Sequence, residues 1–206
     1  ATFAPGTTIL EILAPAPPIL KGERLALNFL QRLSGIATLT ATFVDKTSRY
    51  GVKILDTRKT SPGLRIFEKY AVKVGGGYNH RFDLSSGILI KENHIRAIGS
   101  VHTAIRRAQR NPSAYSRIEV EVTTLEEVQQ VSALPIDIVM LDNFDLEEMR
   151  EAISIVRDAS NHMLIEVSGG VTLQNVEEIA ALSPDFISVG SMTHSAPGVD
   201  MSLTIV

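Results

Sequence analysis

The chain contains no cysteine, which excludes disulfides, thiolate metal sites and a catalytic thiol, and fits a cytoplasmic protein. Long apolar runs are also missing. Nothing approaches the roughly 20 consecutive apolar residues that cross a bilayer, and the first residues lack the basic-then-apolar order of a secretory signal. Charge of one sign is scarce: the net charge is -3 over 206 residues, with acidic and basic side chains interspersed. Neither nucleic acid nor an anionic membrane is therefore expected as a partner, and any anion site must be built locally. Apolar material is plentiful, and 44% hydrophobic residues suffice for one sizeable core, so one main domain is expected.

Along the chain, Ala1 to Leu20 is rich in Pro, Gly and Ala and holds one short strand candidate, Ile9 to Leu13, with nothing nearby to pair with. From Lys21 to Thr42 the spacing of Leu25, Phe29, Leu33, Ile36 and Thr40 predicts an amphipathic helix. After it one pattern repeats: a short apolar run, a polar turn, a helix. The strand candidates are Val52 to Thr57, Gly87 to Lys91, Arg117 to Val122, Asp137 to Leu141, Met163 to Val167 and Phe186 to Val189. Ser61 before Pro62, Thr124 with Glu127, Asp145 with Glu148, and Thr172 are the expected helix starts. Alternation of this kind predicts an α/β fold with a parallel (β/α) barrel, incomplete or atypical beside the TIM barrel, its helices outside the sheet.

Strand parity then singles out charges. In Ile118-Glu119-Val120-Glu121-Val122 the carboxylates point one way and the aliphatics the other. Helices cover the aliphatic side, so Glu119 and Glu121 face the barrel interior, as do Glu166 and Ser168 on the fifth strand and Asp142 on the fourth. An alternating strand with one solvent-exposed face is ordinary for antiparallel sheets, but it fits poorly here because a helix follows nearly every strand. Active sites of such barrels lie at the C-terminal strand ends, where Asp56, Arg58, Lys59, Lys91, Glu121, Asp142, Asn143, Ser168, Gly169, Gly170, Gly190 and Ser191 collect. Arg58, Lys59, His80, Arg81 and Lys91 form an excess of cations suited to a dicarboxylate or polyanion. The Ser168-Gly169-Gly170 turn and Gly190-Ser191 offer main-chain amides to a phosphate. Glu121 and Asp142 are hard oxygen ligands appropriate to Mg²⁺; salt bridges to Lys59 or Lys91 would account for them equally well. Of the histidines, His80 and His194 flank this rim, while His94 reads as a turn residue and His102 and His162 as helix or loop residues.

These residues lie in longer strings: GERLALNFLQRLSGIAT, ILDTRKTSPGLRIFEKYAVKVGGGYNHRFDLSSGILIKENHI, IEVEV, LDNF, SGGV and GSMTHSAP. From about Gly22 to the C-terminus they resemble the quinolinate phosphoribosyltransferases. The resemblance implies an enzyme that joins quinolinate to phosphoribosyl pyrophosphate with loss of CO₂, giving nicotinate mononucleotide. By the same resemblance Arg58, His80, Arg81 and Lys91 hold the two carboxylates of quinolinate, and Arg24 reaches the pocket of a neighbouring subunit in a homodimer or higher oligomer. Lys59, Glu121 and Asp142 engage phosphoribosyl pyrophosphate and its Mg²⁺, and Ser168, Gly169, Gly170, Gly190 and His194 its phosphate end. Lys91, Glu121 and Asp142 are the expected catalytic residues.

Family members begin with an α/β sandwich domain, so residues 1–20 are expected to be its remnant and residues 21–206 the barrel domain. Alternatives are a paralogue associated with molybdenum transport, an aldolase using Lys91 as a Schiff base, and an inactive assembly partner.

Overall fold

The computed structural model describes residues 2–110, 117–159 and 162–206. Helix α1, Ala16–Thr47, starts earlier than Lys21 because prolines at its first positions need no intrahelical partner for an N–H they lack. It buries Leu27, Ile36, Thr40, Phe43 and Thr47 at helical spacing. The expected strand at Ile9 to Leu13 does not form; every residue there is exposed and outside the sheet.

Then come β1 (Lys53–Leu55), α2 (Arg65–Val74), β2 (Ile88–Ile90), α3 (Glu92–Ile98), α4 (Val101–Gln109) and β3 (Ile118–Val122). The rest is α5 (Leu125–Ser132), β4 (Ile138–Asp142), α6 (Leu146–Ala159), β5 (Leu164–Ser168), α7 (Val176–Ala181), β6 (Phe186–Ser188) and α8 (Ser191–His194). All six expected strands are present. Thr124 and Asp145 cap α5 and α6 as their spacing predicts, with the Glu127 and Glu148 amides donating to Thr124 Oγ1 (3.2 Å) and Asp145 Oδ1 (2.9 Å).

Two helix starts differ from expectation. Ser61 and Pro62 open a turn rather than a helix, because Gly63 takes φ 76° and breaks the right-handed run before Arg65. Thr172 likewise opens a turn: Asn175 accepts the Thr172 amide at 2.8 Å and donates to the Gly170 carbonyl at 3.1 Å, delaying the helix to Val176.

The strands are parallel throughout, in the order β1-β6-β5-β4-β3-β2. Val120, Val122, Val139, Leu141, Ile165, Val167 and Ile187 point outward, each almost wholly buried in one continuous core with the helices. Strands β1 and β2 are the edges, and no ladder joins them. The Tyr78 amide donates to the Ile54 carbonyl at 2.8 Å and its carbonyl accepts the Asp56 amide at 3.0 Å, adding a one-residue parallel bridge beside β1. From there Arg81 Nη1 reaches the Gly87 carbonyl, 2.9 Å away, just before β2. A side chain thus spans the seam that main chain leaves open, and the expected incomplete barrel is the fold found.

Helix α1 packs on α2, α7, α8 and β1, and the C-terminal segment crosses it at Gly35. The Val199 amide donates to the Gln31 carbonyl at 3.0 Å, and a Cβ on Gly35 would lie 1.9 Å from the Pro197 carbonyl oxygen. Backbone cannot yield locally, so Gly35→Ala is expected to cost about 2 kcal/mol of stability, read as a lower urea midpoint at unchanged slope.

Candidate functional site

Because the strands are parallel, their C-terminal ends share one edge, and this edge is the mouth. Three groups of side chains meet there.

The first is built around a buried Asp56 at the end of β1. It accepts from Lys69 Nζ of α2, from Asn79 Nδ2 at 2.6 Å and from the His80 amide at 2.8 Å. Lys69 also donates to the His80 carbonyl at 3.0 Å. Burial pushes the Asp56 carboxyl up and the Lys69 ammonium down from their ordinary values, and each partner's charge opposes the shift. The pair pins the segment carrying His80 and Arg81 to β1. His80 Nδ1 accepts the Arg81 amide at 2.7 Å, and Nε2 lies 3.1 Å from Glu119 Oε2 and 3.7 Å from Glu166 Oε2.

Arg81, half-buried, is held below its ordinary pKa by burial and by the nearby Arg58 charge, against the pull of Glu119 and Asp83. Burial, then the Glu119 charge, pushes the Glu166 carboxyl well above the usual range. Arg65 laces the outer wall, donating to Thr60 Oγ1 (3.0 Å) and to the carbonyls of Phe82 (3.1 Å) and Arg58 (3.2 Å). The Arg58 side chain stays exposed beside it.

The second group is the ion pair of Lys91 Nζ with Glu121 Oε2, from the ends of β2 and β3. His94, expected as a turn residue, lies in α3, and its Nδ1 accepts the Lys91 amide at 2.9 Å. Asp142 ends the neighbouring strand β4 and accepts from Asn143 Nδ2 at 2.8 Å.

The third group is glycine-rich. Asp142 pairs in register with Ser168, and Gly169 and Gly170 follow with φ 88° and 62°. A Cβ on Gly169 would lie 2.2 Å from Asn143 Oδ1, whereas one on Gly170 would meet nothing, so Asn143 packs against Gly169 and the turn is open at Gly170. At the end of the neighbouring strand β6, a Cβ on Gly190 would touch Lys59 Cδ at 3.1 Å and the His194 ring at 3.4 Å. Lys59, Gly190 and His194 are therefore neighbours. Thr193 Oγ1 donates to the Lys59 carbonyl at 2.7 Å, a contact that no sequence signal announced.

The structure thus brings Arg58, His80, Arg81, Lys91, Glu121, Asp142, Ser168, Gly169, Gly170, Gly190, Lys59 and His194 to one mouth. Arg24 stands apart: it is exposed on α1 and makes no hydrogen bond or ion pair among the described residues. Two carboxylate oxygen donors at adjacent strand ends, each partly open to solvent, suit a hard divalent cation that keeps waters and substrate oxygens as further ligands. His80, Glu119 and Glu166 also bring one potential ligand atom each within 4.8 Å of one another.

Residues 36–204 match the family described as quinolinate phosphoribosyl transferase, C-terminal domain. A probable nicotinate-nucleotide pyrophosphorylase [carboxylating] of Synechocystis is 44% identical over 200 residues, covering 97% of this chain and 68% of that protein. The protein of the same description from Methanocaldococcus jannaschii is 48% identical over 204 residues, covering 96% and 72%. Among solved structures, NadC from Streptococcus pyogenes superposes with a TM-score of 0.88 at 46% identity, covering 95% of this chain and 67% of that one. This chain therefore spans about two thirds of the length of such relatives. The matched residues 36–204 include every strand and both edges of the seam: the chain belongs to the quinolinate phosphoribosyltransferase family.

Proposed function

We propose that the chain transfers the phosphoribosyl group of phosphoribosyl pyrophosphate to the ring nitrogen of quinolinate and decarboxylates the product, yielding nicotinate mononucleotide, pyrophosphate and CO₂. The observation that carries this reading is the shared mouth of cations and carboxylates in a chain of this family. Nothing in the comparisons favours the molybdenum-transport paralogue.

Arg58, Arg81 and Lys91 supply the charge that a dicarboxylate needs, with guanidinium forks able to grip each carboxylate through two hydrogen bonds. The ring nitrogen forms a bond to ribose C1 as the C1–O bond to pyrophosphate breaks. Lys59 and the bare amides around Gly169, Gly170 and Gly190 stabilise the departing charge, with Ser168 and His194 beside them. Glu121 and Asp142 are the residues that would hold Mg²⁺, which when bound neutralises pyrophosphate charge. The carboxylate on C2 then leaves as CO₂. Its electron pair stays on C2 beside the cationic nitrogen and takes a proton, for which Lys91 is the proposed donor.

Arg24 from a second copy completes the dicarboxylate site in a homodimer or larger assembly, a reading supported by its exposure and by the apolar face of Ile66, Phe67, Tyr70 and Val74 on α2. A cytoplasmic location fits the cysteine-free composition.

Incubation with quinolinate, phosphoribosyl pyrophosphate and Mg²⁺ should release CO₂ and nicotinate mononucleotide, and nicotinate should fail to substitute. Turnover of nicotinate instead would overturn the assignment. Lys91→Ala should lower kcat for nicotinate mononucleotide formation at least about tenfold, and an unchanged rate would remove the lysine from the proton step.

A further inference from the structure

His80 is engaged through both ring nitrogens. Its Nδ1 accepts the Arg81 main-chain N–H at 2.7 Å, and a nitrogen that accepts carries no proton, so the proton of the neutral ring sits on Nε2. Nε2 stands 3.1 Å from Glu119 Oε2 and 3.7 Å from Glu166 Oε2, so its proton lies among carboxylate oxygens. The spacing of the three side chains would also suit a metal ion. The tautomer argues against one: a ring protonated at Nε2 has no lone pair to give there. Glu119 and Glu166 are 5% and 1% exposed, and such burial of two carboxylates is costly unless they do something that apolar residues cannot.

We propose that Glu119 and Glu166 are positioning residues of the dicarboxylate site: they lock His80 as its Nε2–H tautomer, and His80, through Nδ1, fixes the Arg81 main chain and so the aim of its guanidinium. The inference rests on the function proposed above. It changes the role of His80, because a ring with both nitrogens turned inward acts on quinolinate through Arg81 rather than by touching it. The lock is also a chain of direct contacts from β3 and β5 to the residue that spans the open seam.

The test combines ring-nitrogen NMR of the ¹⁵N-histidine-labelled protein with kinetics of Glu119→Leu, Glu119→Gln and Glu166→Gln. In the unsubstituted protein, His80 should show a protonated Nε2 and a bare Nδ1. Glu119→Leu should lose this preference and raise the quinolinate KM about tenfold while leaving the phosphoribosyl pyrophosphate KM in place. Glu119→Gln, whose amide oxygen still accepts from Nε2, should keep both close to the unsubstituted values. A protonated Nδ1, a bare Nε2, or equal movement of both KM values would overturn the proposal, as would Glu119→Gln proving as damaging as Glu119→Leu. Should Glu119→Leu fail to fold, the tautomer and the two glutamine variants decide. Absence of quinolinate turnover would sink the proposed function, while the tautomer would still report on the lock.

Discussion

Arg32→Met is expected to lower folding stability by about 3 kcal/mol, the lower end of what breaking a buried ion pair costs. Glu68 of α2 is fully buried and accepts from Arg32 Nη2 at 2.9 Å, Arg32 Nε at 3.2 Å and the Ser61 amide at 3.1 Å. Arg32 also donates to the carbonyls of Thr193 and Ala196, so one guanidinium ties α1 to α2, α8 and the segment beyond. Methionine keeps most of the apolar stem and removes every donor. The Glu68 carboxylate is then left with one main-chain partner and limited access to water. For a chain of this size the loss should lower Tm by roughly 6–12 °C, and Arg32→Met with Glu68→Leu should recover much of it, because no charge stays stranded. A single variant as stable as the parent would mean that the pair contributes nothing.

Arg81→Lys should reduce kcat/KM for quinolinate on the order of a thousandfold, the largest effect expected at the mouth. The reason is geometry rather than charge, which the substitution preserves. Arg81 uses Nη1 for the Gly87 carbonyl, which leaves the other terminal nitrogen for the carboxylate contact proposed above. Its Nε is buried without a partner among the described residues. An ammonium is one donor cluster on a flexible stem and cannot serve both directions at once. Two charge-assisted hydrogen bonds are lost or misaligned, each contributing about 1.5–3 kcal/mol. Steady-state kinetics with each substrate varied in turn will check this: the phosphoribosyl pyrophosphate KM should hold, since Arg81 bonds to neither Lys59 nor the glycine turns among the described residues.

The parts of the fold readable from sequence were those encoded within a few residues. Short apolar runs between turn signals fixed all six strands. Period-two alternation put Glu119, Glu121, Glu166 and Asp142 on the inner face, and capping boxes marked α5 and α6. The helix starts at Ser61 and Thr172 were misread because a left-handed Gly63 and the Asn175 side chain each insert a turn first.

What stayed hidden was non-local. Lys69 and Glu68 look like ordinary charges of a helix surface, and their burial makes sense only beside Asp56 and Arg32, brought from other elements. The Tyr78 bridge is one residue long, too short for any periodicity to register. His80 and Arg81 were visible as a cationic couple. Their different duties, one turned to the interior and one to the mouth, depend on which atom each ring or fork presents, and residue type carries no such information.

The seam between Tyr78 and β2 makes the circumference of this ring adjustable at one place. Inserting a single residue into any laddered strand would turn every following side chain to the opposite face and ruin the core. Residues added or removed between Phe82 and Ser86 shift no register, because side chains and no ladder join the two banks among the described residues. A longer or shorter segment at that point would widen or narrow the entrance while leaving the rest of the scaffold unchanged.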